Sequence, residues 1–266
     1  VKGADEEAGV ELGTQVVEDE QVGPGGGAQE HLFLPGGVGA EVQGLELREE
    51  VGAGHIDDVE ALFQYLSGNG QSGMGLAQTG TGKTAAFVLP ILQRLMSGPH
   101  GPVRALIIAP TRELSEQTHK VIGLLGRKTR LKSASIYGGV NINGQIKLLR
   151  DRIDIISGCP GRLLDHIDRG TLDLSKIEVL VLDEADHMFD MGFLPDIRRI
   201  VKRLPGRRQT LLFSATMPAD IQKLADDLLQ LVERQTGGRG SAFGGVTLHR
   251  VMLGERGNRR FDMLGR

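Results

Sequence analysis

Tryptophan is absent from the 266-residue chain, tyrosine occurs twice, and aromatic residues make up only 4% of it. Little is therefore available for stacking on exposed nucleobases. A single cysteine, Cys159, excludes an internal disulfide and favours a reducing, cytoplasmic setting. No apolar run approaches the roughly 20 residues that a membrane-spanning helix requires; AAFVLPIL and VLVL (Val179 to Leu182) fall far short. The opening VKGADEE has neither a basic region nor an apolar stretch, so no secretory signal is expected. The seven histidines are dispersed without metal-ligand spacing, and no zinc site is expected.

The net charge of −3 averages two unlike parts. Residues 1–60 hold 15 Asp+Glu and 2 Lys+Arg, which leaves 19 acidic and 29 basic residues for 61–266. A basic body can meet phosphates, whereas an acidic leader repels them. The first 60 residues also carry 13 glycines, and up to about residue 72 only EVQGLELREEV shows any period. Such a segment buries too little apolar surface to offset chain entropy. The expected organisation is an acidic, Gly-rich segment over 1–72, disordered or irregular; a compact domain over 73–230; and a flexible basic tail over 231–266, where 7 Lys+Arg face 3 Asp+Glu.

Within the middle segment, short apolar runs alternate with amphipathic stretches. ALIIA (Ala105 to Ala109), SASIY (Ser133 to Tyr137), IDII (Ile153 to Ile156), VLVL and TLLF (Thr210 to Phe213) have the unbroken texture of strands buried on both faces. KTAAFVLPILQRLM, RELSEQTHKVIGLL, GQIKLLR, GRLLDHI, DIRRIVKRL and ADIQKLADDLLQL, before, between and after them, have helical spacing, with a kink expected at Pro90. The alternation predicts an α/β fold, a parallel sheet with helices on both faces. Functional residues in such sheets lie at the carboxyl ends of the strands.

Two such ends carry chemistry. Ala77-Gln78-Thr79-Gly80-Thr81-Gly82-Lys83-Thr84 departs from the phosphate-loop pattern only in having Ala77 at its first glycine. Small residues let backbone N–H groups turn toward phosphate oxygens, and the helix that follows adds its positive end. Lys83 would then reach the β- and γ-phosphates of a bound nucleotide, and the Thr84 hydroxyl would ligate Mg²⁺. A Gly-rich turn before a helix is the plainer alternative. The second site, Asp183-Glu184-Ala185-Asp186, directly follows VLVL. There Asp183 can hold Mg²⁺ and Glu184 can orient or deprotonate an attacking water; a solvated acidic turn is the alternative.

Together, AQTGTGKT, PTREL (Pro110 to Leu114), YGG (Tyr137 to Gly139), PGRLLD (Pro160 to Asp165), DEAD and SAT (Ser214 to Thr216) resemble the ordered motif series of the DEAD-box RNA helicases. The likeness covers about Met74 to Gln230. It implies a RecA-like P-loop domain, the first of two, which couples ATP hydrolysis to RNA binding. It also implies single-stranded or duplex RNA as partner, with Pro110, Thr111, Arg112, Gly138, Gly139, Pro160, Gly161 and Arg162 along the sugar-phosphate backbone. The scarcity of aromatics agrees with backbone rather than base readout. Asp186, Ser214 and Thr216 are implied to couple nucleotide state to the RNA site. Without the resemblance, Arg112 and Arg162 read equally as surface charges at helix starts, and Ser214 and Thr216 as a strand-end turn. Cys159 stands where the family usually has Thr and is expected to be a small buried thiol; His187 is expected to be structural.

Two departures stand out. The family's Pro-Thr-x-Ile-Gln segment, whose Gln recognises adenine, has no match in residues 51–71, which lack proline; Gln64 and Gln71 are stand-ins without that context. The second RecA-like domain, with its arginine that reaches the γ-phosphate, is not found either. An arginine finger is worth about 10³ to 10⁵ in rate, so weak or no ATPase activity is expected of this chain alone. Residues 1–72 and those beyond 231 are expected to derive from a shifted frame, a misplaced start or a fusion. A monomer without membrane attachment is expected. Two other function classes stay open at this point: a non-catalytic nucleotide-binding module, and a DNA translocase or other phosphate-loop ATPase.

Overall fold

The computed structural model describes residues 73–77, 83–216, 218–221, 223–225 and 249–253. Chain order runs β1 (Gly73–Ala77), α1 (Lys83–Met96), β2 (Ala105–Ile108), α2 (Arg112–Leu125), β3 (Ser133–Ile136), α3 (Ile142–Leu149), β4 (Ile155–Gly158), α4 (Pro160–Asp168), β5 (Val179–Leu182), α5 (Ala185–Asp190), α6 (Leu194–Val201), β6 (Gln209–Ser214) and β7 (His249–Leu253). The strands form one sheet in the order β3-β4-β2-β5-β6-β1-β7, and every neighbouring pair is parallel.

The unbroken apolar runs are explained by what covers them. Along β2 and β5, side chains alternate between two cores: Leu106, Ile108, Leu180 and Leu182 face α4, α5 and α6 through Leu163, Met188 and Ile197. Ala105, Ile107, Val179 and Val181 face α1 and α2 through Phe87, Leu95 and Ile122. Each such fully buried Leu, Ile or Val side chain contributes about 1.5–3 kcal/mol, so a polar residue on either face would be costly. The Phe87 and Phe213 rings stack with centroids 5.5 Å apart and tie α1 to β6. Helix α1 continues through Pro90 to Met96.

Composition predicts a flexible tail over 231–266, yet His249–Leu253 within it forms β7, in register with β1 from Gly73↔His249 to Ala77↔Leu253. The five residues HRVML contain neither Gly nor Pro, and β1 would otherwise be an unpaired edge. The rest of that tail, and all of residues 1–72, lie outside the described residues.

Candidate nucleotide and RNA site

All seven strands point the same way, so the segments that follow β1 through β6 emerge along one rim of the sheet. Lys83 opens α1 after β1, and Asp183 follows β5, with β6 between them. Two strand spacings are about 9.6 Å, a gap that a lysine side chain closes. Lys83 Nζ lies 2.7 Å from Asp183 Oδ1, with side chains only 7% and 5% exposed. Burial pushes the Asp183 carboxyl above its ordinary range, against the pull of the Lys83 ammonium. Apart from the Lys83 ammonium, which also holds the carboxyl through a hydrogen bond, Oδ1 has no partner among the described residues. Thr84 is half-buried beside Lys83. A buried cation, a hydroxyl and an underused carboxylate oxygen form a donor set suited to a magnesium-bound phosphate, since Mg²⁺ uses few protein ligands and keeps several waters. Ala77 ends β1, and Gln78, Thr79, Gly80, Thr81 and Gly82 lie outside the described residues.

Glu184 adopts a left-handed backbone conformation, φ 54° and ψ 55°, at the N-cap of α5. For a non-glycine residue this costs on the order of 1 kcal/mol and is held by its surroundings. The turn directs Asp183 into the core while the Glu184 side chain stays 17% exposed, with Oε2 3.6 Å from His187 Nδ1. His187 is itself exposed.

One turn on, Asp186 joins this acidic motif to the end of β6. Its Oδ2 accepts from Ala215 N at 3.1 Å, Thr216 N at 2.8 Å and Thr216 Oγ1 at 3.0 Å. Its own N–H donates to the buried Ser214 Oγ at 3.1 Å. Desolvation alone would raise the Asp186 carboxyl, but the donors from Thr216 and Ser214 outweigh it and hold the group below its ordinary range. A shift in either segment therefore pulls on the other.

The other motifs gather where β2, β3 and β4 end side by side. Thr111 caps α2, its hydroxyl accepting from Leu114 N at 3.3 Å. The exposed Arg112 guanidinium lies 4.6 Å from the Tyr137 ring centroid, and its Nε is 3.2 Å from Glu116 Oε1. Gly138 and Gly139 are exposed, with φ +80° at Gly139 and open space where a Cβ would stand. Pro110 and Pro160 are buried, and Gly161 is exposed at the start of α4. Arg162 Nη1 donates to Val140 O at 3.0 Å and to Gln145 Oε1 at 3.1 Å.

Sequence reasoning missed Gln145. It is the only buried residue of α3, while Leu148 in the same helix is 37% exposed. Its Nε2 donates to Tyr137 O at 3.1 Å, and its Oε1 also lies 3.1 Å from His166 Nε2. The amide thus ties the Gly138-Gly139 turn to the start of α4. The available signal was a lone Gln amid the apolar positions of INGQIKLL.

Cys159, expected to be buried, is half-buried. It occupies the N-cap of α4 without a side-chain cap hydrogen bond. Burial, with the Glu113 charge, pushes its thiol up to about 11, so it stays protonated at neutral pH. Restoring a hydroxyl should supply the missing acceptor. Cys159→Thr is expected to stabilise the fold by about 1 kcal/mol, read as a higher urea midpoint at an unchanged slope; an unchanged midpoint would mean that the α4 N–H groups have other acceptors.

With the geometry in place, comparison with known proteins is decisive. The model of the DEAD/DEAH box helicase family matches residues 59–224. This chain belongs to that family. It is 42% identical over 189 residues to the DEAD-box ATP-dependent RNA helicase CshA of Geobacillus kaustophilus, covering 71% of this chain and 40% of that protein. Identity to CshA of Streptococcus pneumoniae serotype 4 is 49% over 185 residues, covering 70% and 35%. Among solved structures, a DEAD box protein from the hyperthermophile Methanococcus jannaschii superposes with TM-score 0.61 at 35% identity, over 74% of this chain and 49% of that one. The yeast DEAD-box splicing factor Prp28 gives 0.61 at 34%, over 64% and 42%. The expected RecA-like architecture is therefore the DEAD-box fold. The chain spans well under half the length of these curated helicases, and the family match begins upstream of residue 73.

Proposed function

We propose that this chain is the ATP- and RNA-binding half of a DEAD-box RNA helicase, coupling ATP hydrolysis to RNA remodelling together with a second RecA-like domain. The observation that carries the reading is the buried contact between Lys83 and Asp183, whose charges neutralise each other at the rim. A magnesium-bound ATP, when present, supplies the transferable phosphoryl group together with charges of both signs. Lys83 would hold the phosphate oxygens, and Asp183 and Thr84 would hold the ion. Glu184, at the strained turn, orients the attacking water and receives its proton. Asp186, through Ser214 and Thr216, carries the position of the acidic motif to the end of β6.

On the same rim, Thr111, Arg112, Gly138, Gly139, Gly161 and Arg162, backed by Pro110 and Pro160, follow the RNA backbone. Exposed glycines allow close approach of phosphate, and the start of α4 offers N–H donors. Because the chain corresponds to well under half of its relatives' length, the reading takes the γ-phosphate-facing arginine from a second domain. The reading takes the chain as a cytoplasmic monomer, a setting its single cysteine fits; among the described residues no helix is long and apolar enough to cross a membrane.

The test is ATP turnover with and without single-stranded RNA, using the chain alone and with a DEAD-box second domain added. RNA stimulation that rises when the second domain is present supports the reading. Nucleotide retained without turnover under every condition leaves a binding module instead, and equal stimulation by DNA points to a translocase.

A further inference from the structure

Each described cation of the rim just described already has a carboxylate beside it. Lys83 lies against Asp183 at 2.7 Å, Arg112 against Glu116 at 3.2 Å and Arg162 against Asp165 at 3.5 Å. The excess positive charge of residues 61–266 must therefore lie elsewhere. Part of it lies at the end of α6 and just after it, at Arg199, Lys202, Arg203 and Arg207, and another part gathers at the opposite end of β3 and β4, in the loops that enter those strands. Arg127, Lys128, Arg130, Lys132, Arg150 and Arg152 are all exposed there. In the same loops the acids are Asp151, which is exposed, and Asp154, which is buried.

Asp154 builds this surface. Its Oδ2 accepts from Lys132 N at 2.8 Å, and its Oδ1 accepts from Gly101 N at 2.9 Å. Its own N–H donates to Lys132 O at 2.9 Å. One carboxylate thus staples the loops entering β2, β3 and β4. Arg152 sits in a left-handed conformation, φ 55°, with its Cγ 3.3 Å from the position a Cβ on Gly101 would take. Cations near the ends of α2 and α3 complement the helix dipoles, which accounts for Arg127 and Arg150. That account does not reach Lys128, Arg130 and Arg152, nor Lys132, whose ammonium donates to Asp151 O at 3.4 Å.

We propose that this far edge is a second RNA-binding surface, which holds the phosphate backbone of duplex or folded RNA adjoining the strand at the motif rim. The inference rests on the RNA-helicase reading for its polyanion. The loops contain no aromatic residue on which an unpaired base could stack, which favours backbone contact with paired RNA. The exposed large hydrophobics among the described residues, Met96, Leu148 and Met191, lie outside these loops. A protein partner would lack the apolar centre that specific interfaces use.

The full chain with Arg127, Arg130, Arg150 and Arg152 all changed to Gln tests this. Binding is measured across a series of KCl concentrations to a hairpin bearing a single-stranded tail, to the tail alone, and to polyglutamate as competitor. Unfolding midpoints verify that the variant is folded. Loss of four phosphate contacts should make the slope of log K against log salt shallower by about 3 to 4 for the hairpin, with at least a tenfold loss of affinity near 0.1 M salt and a smaller loss for the tail. An unchanged slope overturns the proposal, as does polyglutamate that displaces the hairpin from the parent chain at equal charge concentration. A parallel variant, Arg112→Ala with Arg162→Ala, keeps the two readings separate. If it binds the tail as the parent does, the motif-rim reading fails, whatever the far edge does.

Discussion

Lys83→Ala should lower affinity for magnesium-ATP by at least about a hundredfold, roughly 2.7 kcal/mol. The lysine is buried against Asp183, and removing one member of a buried pair typically costs about 3–5 kcal/mol because the remaining charge is stranded. Here the stranded group is Asp183, whose carboxyl burial already holds above its ordinary range. Without Lys83 it rises further, and this sets the sign of a pH effect. A carboxyl with a raised folded-state value favours the native state in its protonated form. That contribution is fully present below the unfolded value near 4 and is lost as pH rises. The variant should therefore lose more stability relative to the parent at pH 8 than at pH 5, as read by urea unfolding, while calorimetric titration with a non-hydrolysable ATP analogue reports affinity. Lys83→Met, which keeps the volume and removes the charge, should behave in the same way. Parent-like affinity in both variants would remove Lys83 from the phosphate site.

Glu184→Gln should leave nucleotide binding near parent levels and reduce RNA-stimulated turnover by about 10² to 10⁴. The substitution preserves shape and removes the negative charge, and with it the ability to take a proton. The left-handed turn at Glu184 does not depend on the charge, and Asp183 keeps its place against Lys83. Single-turnover hydrolysis with RNA and a second domain present, alongside binding of labelled nucleotide, separates the two effects. Hydrolysis at the parent rate would exclude Glu184 as the group that activates water. Loss of binding together with hydrolysis would instead assign it a structural role in the turn.

These outcomes depend on contacts that were unequally legible in the chain. VLVL was readable as a buried strand, and β5 spans those same four residues, because two-sided burial demands an unbroken apolar run. RELSEQTHKVIGLL likewise is α2 from end to end, its start marked by the Thr111 cap. GMGLA gave no comparable signal. Its two glycines erase any period, and β1 exists because β6 and β7 flank it. Gln145 was faint for a related reason: its partners Tyr137, Arg162 and His166 come from two other segments, the turn after β3 and α4, and a lone Gln among apolar positions does not by itself announce that the amide rather than Leu148 will turn inward.

Local order along the chain was enough to establish the alternation of strands and helices, the motif series and the separation of charge between its two parts. Those properties depend on side-chain period and on residue type at fixed spacing, which folding does not alter. Folding decided which groups meet: Lys83 with Asp183 across β6, Asp186 with Thr216, Arg112 with Tyr137, and the arginines of two loops at the far end of β3 and β4. Such pairings follow from strand order in a parallel sheet, where neighbours in space are distant in sequence and only the packed core sets which strand lies beside which.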